Sequence, residues 1–212
     1  PLMGRKTGSK LLICILFLHL ILGIPDLLLH TSVTHAGSAE VFHDTFEDAA
    51  GNNGLAYWDH VGVVPSVYGD PTDANGHVIR MNIDSGTAWN ELKRYMPSSL
   101  SGDVLLQYRV WLKSTTNGPV PRIYDATTPI GQILFNGGSL VLQTDGALPV
   151  LPNGENIQLN QWVDVSVELN TSSHEYTAWV GTKPDNVTYF PMLSHRETVN
   201  TISFIEEGTD AG

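Results

Sequence analysis

The chain has 212 residues, with 11 Lys+Arg against 22 Asp+Glu, a formal net charge of −11 and a single cysteine. Such a field repels phosphate backbones and anionic lipid, which excludes nucleic acid as a partner. One cysteine excludes an intramolecular disulfide framework, so the fold must be held by its core.

The first element in chain order is a leader, residues 1–39. Arg5, Lys6 and Lys10 precede a nearly unbroken apolar run over 11–24. Pro25, a short apolar patch over 27–29, and the small residues Ala36, Gly37, Ser38 and Ala39 follow. This is the order of a secretory signal peptide, with cleavage after Ala36 or Ala39. The run is shorter than the ~20 residues that span a bilayer. Extending it takes in Pro25 and Asp26, and a mid-span carboxylate is costly. No stable membrane span is expected after cleavage, and the remainder is expected outside the cell, secreted or at its surface. That remainder carries 8 basic and 21 acidic groups, and the one cysteine, Cys14, leaves with the leader. Export without disulfides fits bacterial secretion, in which the sequons at Asn170 and Asn186 carry no meaning.

Residues 30–40 form a polar connector. Beyond it a period of two dominates, and no segment sustains a helical period. Residues 41–46 read as a short strand. Over 77–83, Ile79, Met81 and Ile83 alternate with Val78, Arg80 and Asn82; 89–95 is a strand whose facing the pattern leaves open. Over 103–113 the alternation is clearest: Val104, Leu106, Tyr108, Val110 and Leu112 share one face, and Leu105, Gln107, Arg109, Trp111 and Lys113 the other. Segments 130–136 and 139–144 flank Asn136-Gly137-Gly138 and predict a hairpin. Over 162–170, Val163, Val165, Val167 and Leu169 oppose Asp164, Ser166 and Glu168; 176–181 alternates again, and 202–205 is the last strand. Strands at this spacing predict an all-β fold, an antiparallel β-sandwich or jelly roll, in a single domain over 40–212.

Three strings add a family resemblance. Leu100-Ser101-Gly102-Asp103-Val104-Leu105-Leu106-Gln107-Tyr108-Arg109-Val110-Trp111 resembles the "lsG-v-v-y-vw" strand of concanavalin A-like, LamG-like jelly rolls. Asn160-Gln161-Trp162-Val163-Asp164-Val165-Ser166-Val167 is similar to their "g-q-W-v-v-v" strand, and Tyr176-Thr177-Ala178-Trp179-Val180-Gly181 to the "y-v-y-v-dG" strand after it. Residues 40–47 resemble the "f-D-F-E" opening strand of such modules in secreted bacterial proteins. The resemblance implies a concanavalin A-like jelly roll whose concave sheet face is where glycans lie. The superfamily includes lectins, glucanases, polysaccharide lyases and non-catalytic modules. Related modules continue past a "G-T-x-x-G" stretch, here Gly208-Thr209-Asp210-Ala211-Gly212, into a final strand, so a domain lacking that strand is expected.

If the apolar registers face the core, the opposite registers present Gln107, Arg109, Trp111, Asp164, Ser166, Glu168 and Trp179. Aromatic rings stack on the apolar face of a pyranose, while carboxylates, amides and guanidinium groups bond its hydroxyls. The competing reading has Trp111 and Trp179 plugging the sheet surface or lying under a loop; Trp162, at a strand start, is expected in the core. Paired carboxylates for glycoside hydrolysis are not evident. The laminarinase string Glu-x-Asp-x-x-Glu is absent, and Asp164 and Glu168 lie ~13 Å apart along one strand, too far for a retaining or inverting pair by themselves; a carboxylate from another strand would be needed to complete one. A lyase needs a base beside a group that neutralises a uronate, and Arg109, Arg122, Tyr124 and Gln132 offer those roles. The eight histidines have no zinc-ligand spacing. The resemblance implies a possible structural calcium, with Asp44, Glu47 and Asp210 as oxygen ligands, against ordinary solvated loop acids. The expected function is a secreted carbohydrate-binding module that recognises a polysaccharide on the concave face through Gln107, Arg109, Trp111, Asp164, Glu168 and Trp179. A polysaccharide-degrading enzyme of the same fold and a structural module of a bacterial surface protein are the alternatives.

Overall fold

Apolar residues at every second position give a strand one face for burial and one for solvent. In the computed structural model, which describes residues 55, 57–62, 65–73, 76–81, 90–112 and 120–206, such strands assemble into an antiparallel β-sandwich. In chain order they are β1 (Asp59–Val61), β2 (Ser66–Gly69), β3 (His77–Arg80), β4 (Asn90–Leu100), β5 (Asp103–Trp111) and β6 (Val120–Asp125). Then come β7 (Thr128–Asn136), β8 (Ser139–Gln143), β9 (Trp162–Asn170), β10 (Glu175–Val180), β11 (Phe190–Pro191) and β12 (Val199–Glu206). One sheet has the order β1-β4-β12-β6-β7-β8, the other β11-β10-β9-β5, and β2 and β3 form a separate ribbon. Among the described residues no helix is long and apolar enough to cross a membrane.

The core lies between the inner faces of the two larger sheets. The four-stranded sheet contributes Val110, Val163, Val165, Val167, Leu169, Tyr176 and Ala178; the six-stranded sheet contributes Ile123, Ile133, Phe135, Leu140, Leu142 and Ile202. Full burial of each Val, Leu or Ile contributes ~1.5–3 kcal/mol. The expected inward register of β5 and β9 is the observed one. The expected hairpin is present too, with Gly137 at φ 57° and Gly138 at φ 88°, the pair of positive angles that a two-residue type I′ turn requires. At the other end of the sandwich, the buried Thr171 fastens β9 to the β4–β5 turn. Its hydroxyl accepts from the Gly102 amide at 2.8 Å, and its own amide donates to the Gly102 carbonyl at 3.0 Å.

The expected strand over 41–46 lies outside the described residues. Strand β6 was not evident from periodicity, for a physical reason. Pro121 lacks an amide donor and demotes a run from central-strand status, yet β6 sits between β12 and β7. Pro121 is the second residue of the strand, close enough to its start for the ladder to form beyond it.

Candidate functional site

The six residues expected to bind glycan all fall on one surface, the outer face of the four-stranded sheet. Cross-strand register sets Trp111 opposite Trp162, Arg109 opposite Asp164, and Gln107 opposite Ser166, which is in turn opposite Trp179; Glu168 lies between Leu105 and Thr177. Most of these groups satisfy one another. Arg109 Nε meets Asp164 Oδ1 at 2.8 Å with both side chains more than half exposed, a type of pair worth ~0–1 kcal/mol. Gln107 donates to Ser166 Oγ at 3.2 Å. Glu168 accepts from the Lys183 ammonium and from the Tyr189 hydroxyl at 2.9 Å. Burial, then the bond and charge of Glu168, push the Tyr189 phenol up to about 12. Trp179 is only 5% exposed, with Lys183 Nζ 4.9 Å from its ring centroid, so a cation of the chain itself occupies that ring.

Trp162 departs from its expected place in the core. It lies on this outer face, edge-to-face with Trp111 at 5.6 Å and beneath the Arg109 guanidinium at 5.1 Å. Its indole N–H donates to Asp70 Oδ1 and Thr72 Oγ1, each at 3.2 Å. Bonds from the Thr72 hydroxyl and amide, opposed by burial and aided by Trp162, hold the Asp70 carboxyl below its usual range. An indole with a reachable acceptor needs no apolar enclosure, which explains the outward placement.

A second surface brings together residues far apart in sequence. On the outer face of the six-stranded sheet, Lys93 (β4), Ser203 (β12), Arg122 (β6), Gln132 (β7) and Gln143 (β8) form one in-register row across five strands. Glu91, Thr201 and Tyr124 occupy neighbouring positions on the same face. Glu91 Oε2 meets Lys93 Nζ at 2.9 Å, and Glu91 Oε1 accepts from the Tyr124 hydroxyl at 3.3 Å. Arg122 Nε donates to Gln132 Oε1 at 2.7 Å. These groups are recessed as well as polar: Glu91 is 3% exposed, Gln132 5% and Ser203 0%. The Ser203 hydroxyl is fully enclosed and has no hydrogen-bond partner. Burial pulls the Lys93 ammonium down, but the bond and charge of Glu91, with the nearby Tyr124 and Tyr95, outweigh it and raise its pKa. Lys93 is therefore charged at neutral pH.

Of the four residues named for elimination chemistry, Arg122, Tyr124 and Gln132 share this face, and Arg109 lies on the other sheet. Glu91, Lys93 and Ser203 were missed. The alternation Glu91, Lys93, Tyr95 was present in the sequence, but nothing local showed that this register faces away from the core. Among the described residues no group of three or more His, Cys, Asp or Glu is placed to hold a metal ion. The calcium-ligand candidates Asp44, Glu47 and Asp210 lie outside the described residues.

Among solved structures, the fold is similar to part of a sialidase, with a TM-score of 0.62 and 13% identity over 78% of this chain; the chain spans 14% of that protein's length. An alginate lyase of polysaccharide lyase family 7 aligns at TM-score 0.40 and 14% identity, over 61% of this chain and 63% of its own. The carbohydrate binding module CBM66 from Bacillus subtilis aligns at TM-score 0.40 and 11% identity, over 71% of this chain and 91% of its own. At these identities the likeness establishes the fold, and the sialidase alignment carries that conclusion. No family model matches the chain, and no curated protein does.

Proposed function

We propose that the protein is a secreted, lectin-like module that binds a glycan across the outer face of the six-stranded sheet. The observation that carries this reading is the in-register row Lys93, Ser203, Arg122, Gln132 and Gln143. Strands ~4.8 Å apart set these side chains along ~19 Å, an oligosaccharide-sized span offering ammonium, guanidinium and amide groups to sugar hydroxyls. Glu91 is committed to Lys93 and Tyr124, which favours binding over carboxylate-driven hydrolysis. The fold likeness to part of a sialidase is consistent with a carbohydrate-directed role.

A second reading keeps the surface expected from sequence. It is favoured by the Trp111–Trp162 pair with Arg109 over it, a potential stacking platform joined by Gln107 and Asp164. In that reading Glu168 and Trp179 would contribute only if Lys183 moved away.

A glycan array probed with the wild-type chain, Gln132→Ala and Trp111→Ala decides between the two. Retention is expected on at least one polysaccharide, weakened about tenfold or more by Gln132→Ala and unchanged by Trp111→Ala, with both variants folded by circular dichroism. No retention on any glycan, or loss on Trp111→Ala alone, would overturn the proposal.

A further inference from the structure

We infer that the ligand of this face is an extended, uncharged polysaccharide lying across the strands, with one pyranose ring stacked on Tyr95 at the β4 end and a hydroxyl held by the Gln143 amide at the β8 end. This rests on the reading that the six-stranded face binds glycan, and it specifies the chemistry and length of the ligand.

Tyr95 follows Glu91 and Lys93 on the outward register of β4 and is 55% exposed. Its neighbours in register, Thr201 on β12 and Tyr124 on β6, are 3% and 9% exposed, so its ring stands above them. A tyrosine ring offers an apolar face to the C–H side of a pyranose. At the far end of the row, Gln143 is partly exposed, and its side-chain amide has no hydrogen bond among the described residues. It can both donate to and accept from a sugar hydroxyl.

Register sets the length. Strand β8 is the fourth strand beyond β4 in the sheet, ~19 Å away, and Tyr95 lies ~7 Å along β4 from Lys93. The two groups are therefore ~20 Å apart, about four pyranose rings end to end. The side chains open to a ligand are spread over strands, with Tyr95 and Lys93 on β4, Arg122 on β6 and Gln143 on β8, so the chain runs across the strands and not along one of them. Charge sets the chemistry. The Lys93 ammonium meets Glu91 at 2.9 Å and lies 5.8 Å from the centroid of the Tyr124 ring, and Arg122 Nε is bonded to Gln132 at 2.7 Å. With both cations engaged and the whole chain at −11, a polyanion meets a repulsive field without an idle cation to offset it. Sugar hydroxyls need no idle charge, because they donate and accept in turn.

Isothermal titration calorimetry on the full chain tests this with oligosaccharides of two to six residues derived from cellulose, mannan, xylan and laminarin, and with oligogalacturonates as the charged comparison. For at least one neutral series the affinity is expected to rise about tenfold or more from two residues to four and then level off. Tyr95→Ala should weaken every length about tenfold, the loss of one aromatic stack, while Tyr95→Phe stays within about twofold. Gln143→Ala should remove part of the gain at four residues, about threefold, and leave the disaccharide unchanged. Tyr95 is exposed, so its variants should keep the wild-type circular dichroism, and the length series on the wild-type chain needs no variant. Affinity independent of length, Tyr95→Ala binding as wild type, or a loss in Tyr95→Phe equal to that in Tyr95→Ala would overturn the inference. So would binding of oligogalacturonates alone. In each of these cases glycan binding on this face stands if Gln132→Ala still weakens it. No binding of any glycan would overturn the underlying reading as well.

Discussion

Gly131 is where the packing of the sandwich can be tested most sharply. It lies on the core side of β7, and a Cβ added there would meet Tyr176 Cε2 at 2.9 Å and Cδ2 at 3.1 Å. The ring has nowhere to retreat. Tyr176 is completely buried, and its hydroxyl donates to the Gln143 carbonyl and accepts from the Gln132 amide at 3.5 Å. Gly131→Ala therefore forces a shift of several tenths of an ångström in a ring held at both ends. Overpacking of this kind costs ~1–3 kcal/mol, partly offset by the ~0.5–1 kcal/mol that alanine gains over glycine in a strand. The net loss is ~0–2.5 kcal/mol, which for a domain of this size lowers Tm by up to about 10 °C. Urea unfolding followed by tryptophan fluorescence measures it, with an unchanged m-value as the mark of a native-state effect. The clash is local, so Tyr176→Leu, destabilising by itself, should abolish the penalty of adding Gly131→Ala and give a coupling energy well away from zero. Gly131→Ala clearly more stable than wild type, or strict additivity with Tyr176→Leu, would refute the reasoning.

Two further outcomes are expected. Burial pushes the phenols of Tyr108 and Tyr176 far above the ordinary tyrosine value, so the fold favours their protonated forms. Their contribution is full below pH ~10, where the unfolded phenol titrates, and is lost as pH rises beyond it. Phenolate absorbance should show part of the seven tyrosines ionising only together with unfolding; a single non-cooperative step near pH 10 would count against this. Ser203→Ala removes an enclosed hydroxyl that bonds to nothing, so it should raise stability by ~1 kcal/mol in chemical denaturation, and a clear loss of stability would show that the hydroxyl has an internal partner.

The strands that were legible in the sequence are those whose neighbours impose a clean alternation. Strands β5, β9 and β10 each place apolar residues against the other sheet and polar ones outward, and period two is then enough to assign both faces. Strands β1, β2 and β11, of two to four residues, are too short to show a period, and β6 is masked by Pro121. The candidate site divides along the same line. Gln107, Arg109, Trp111, Asp164, Glu168 and Trp179 were grouped correctly onto one face, because alternation within a strand is local information. The row on the other sheet is not local. It exists because β12 inserts between β4 and β6, which sets Ser203 between residues 93 and 122, and no pattern within a strand encodes that order. Solvent access was equally hidden. Nothing around Trp179 in sequence signals that Lys183 and Tyr189 return over its sheet face, and nothing around Ser203 signals enclosure.

The two outer faces handle their polar groups by opposite means. On the four-stranded sheet the Arg109–Asp164 pair is well exposed and the Lys183–Glu168 pair partly so, so water retains part of the solvation and the pairs are nearly neutral in free energy. On the six-stranded sheet Glu91, Gln132, Thr201 and Ser203 are withdrawn from water. Desolvation there must be offset by Lys93, Tyr124 and Arg122, and for Ser203 it is not offset at all. Apolar side chains of similar volume would serve folding as well or better, since replacing a buried ion pair by hydrophobic groups is often neutral or stabilising.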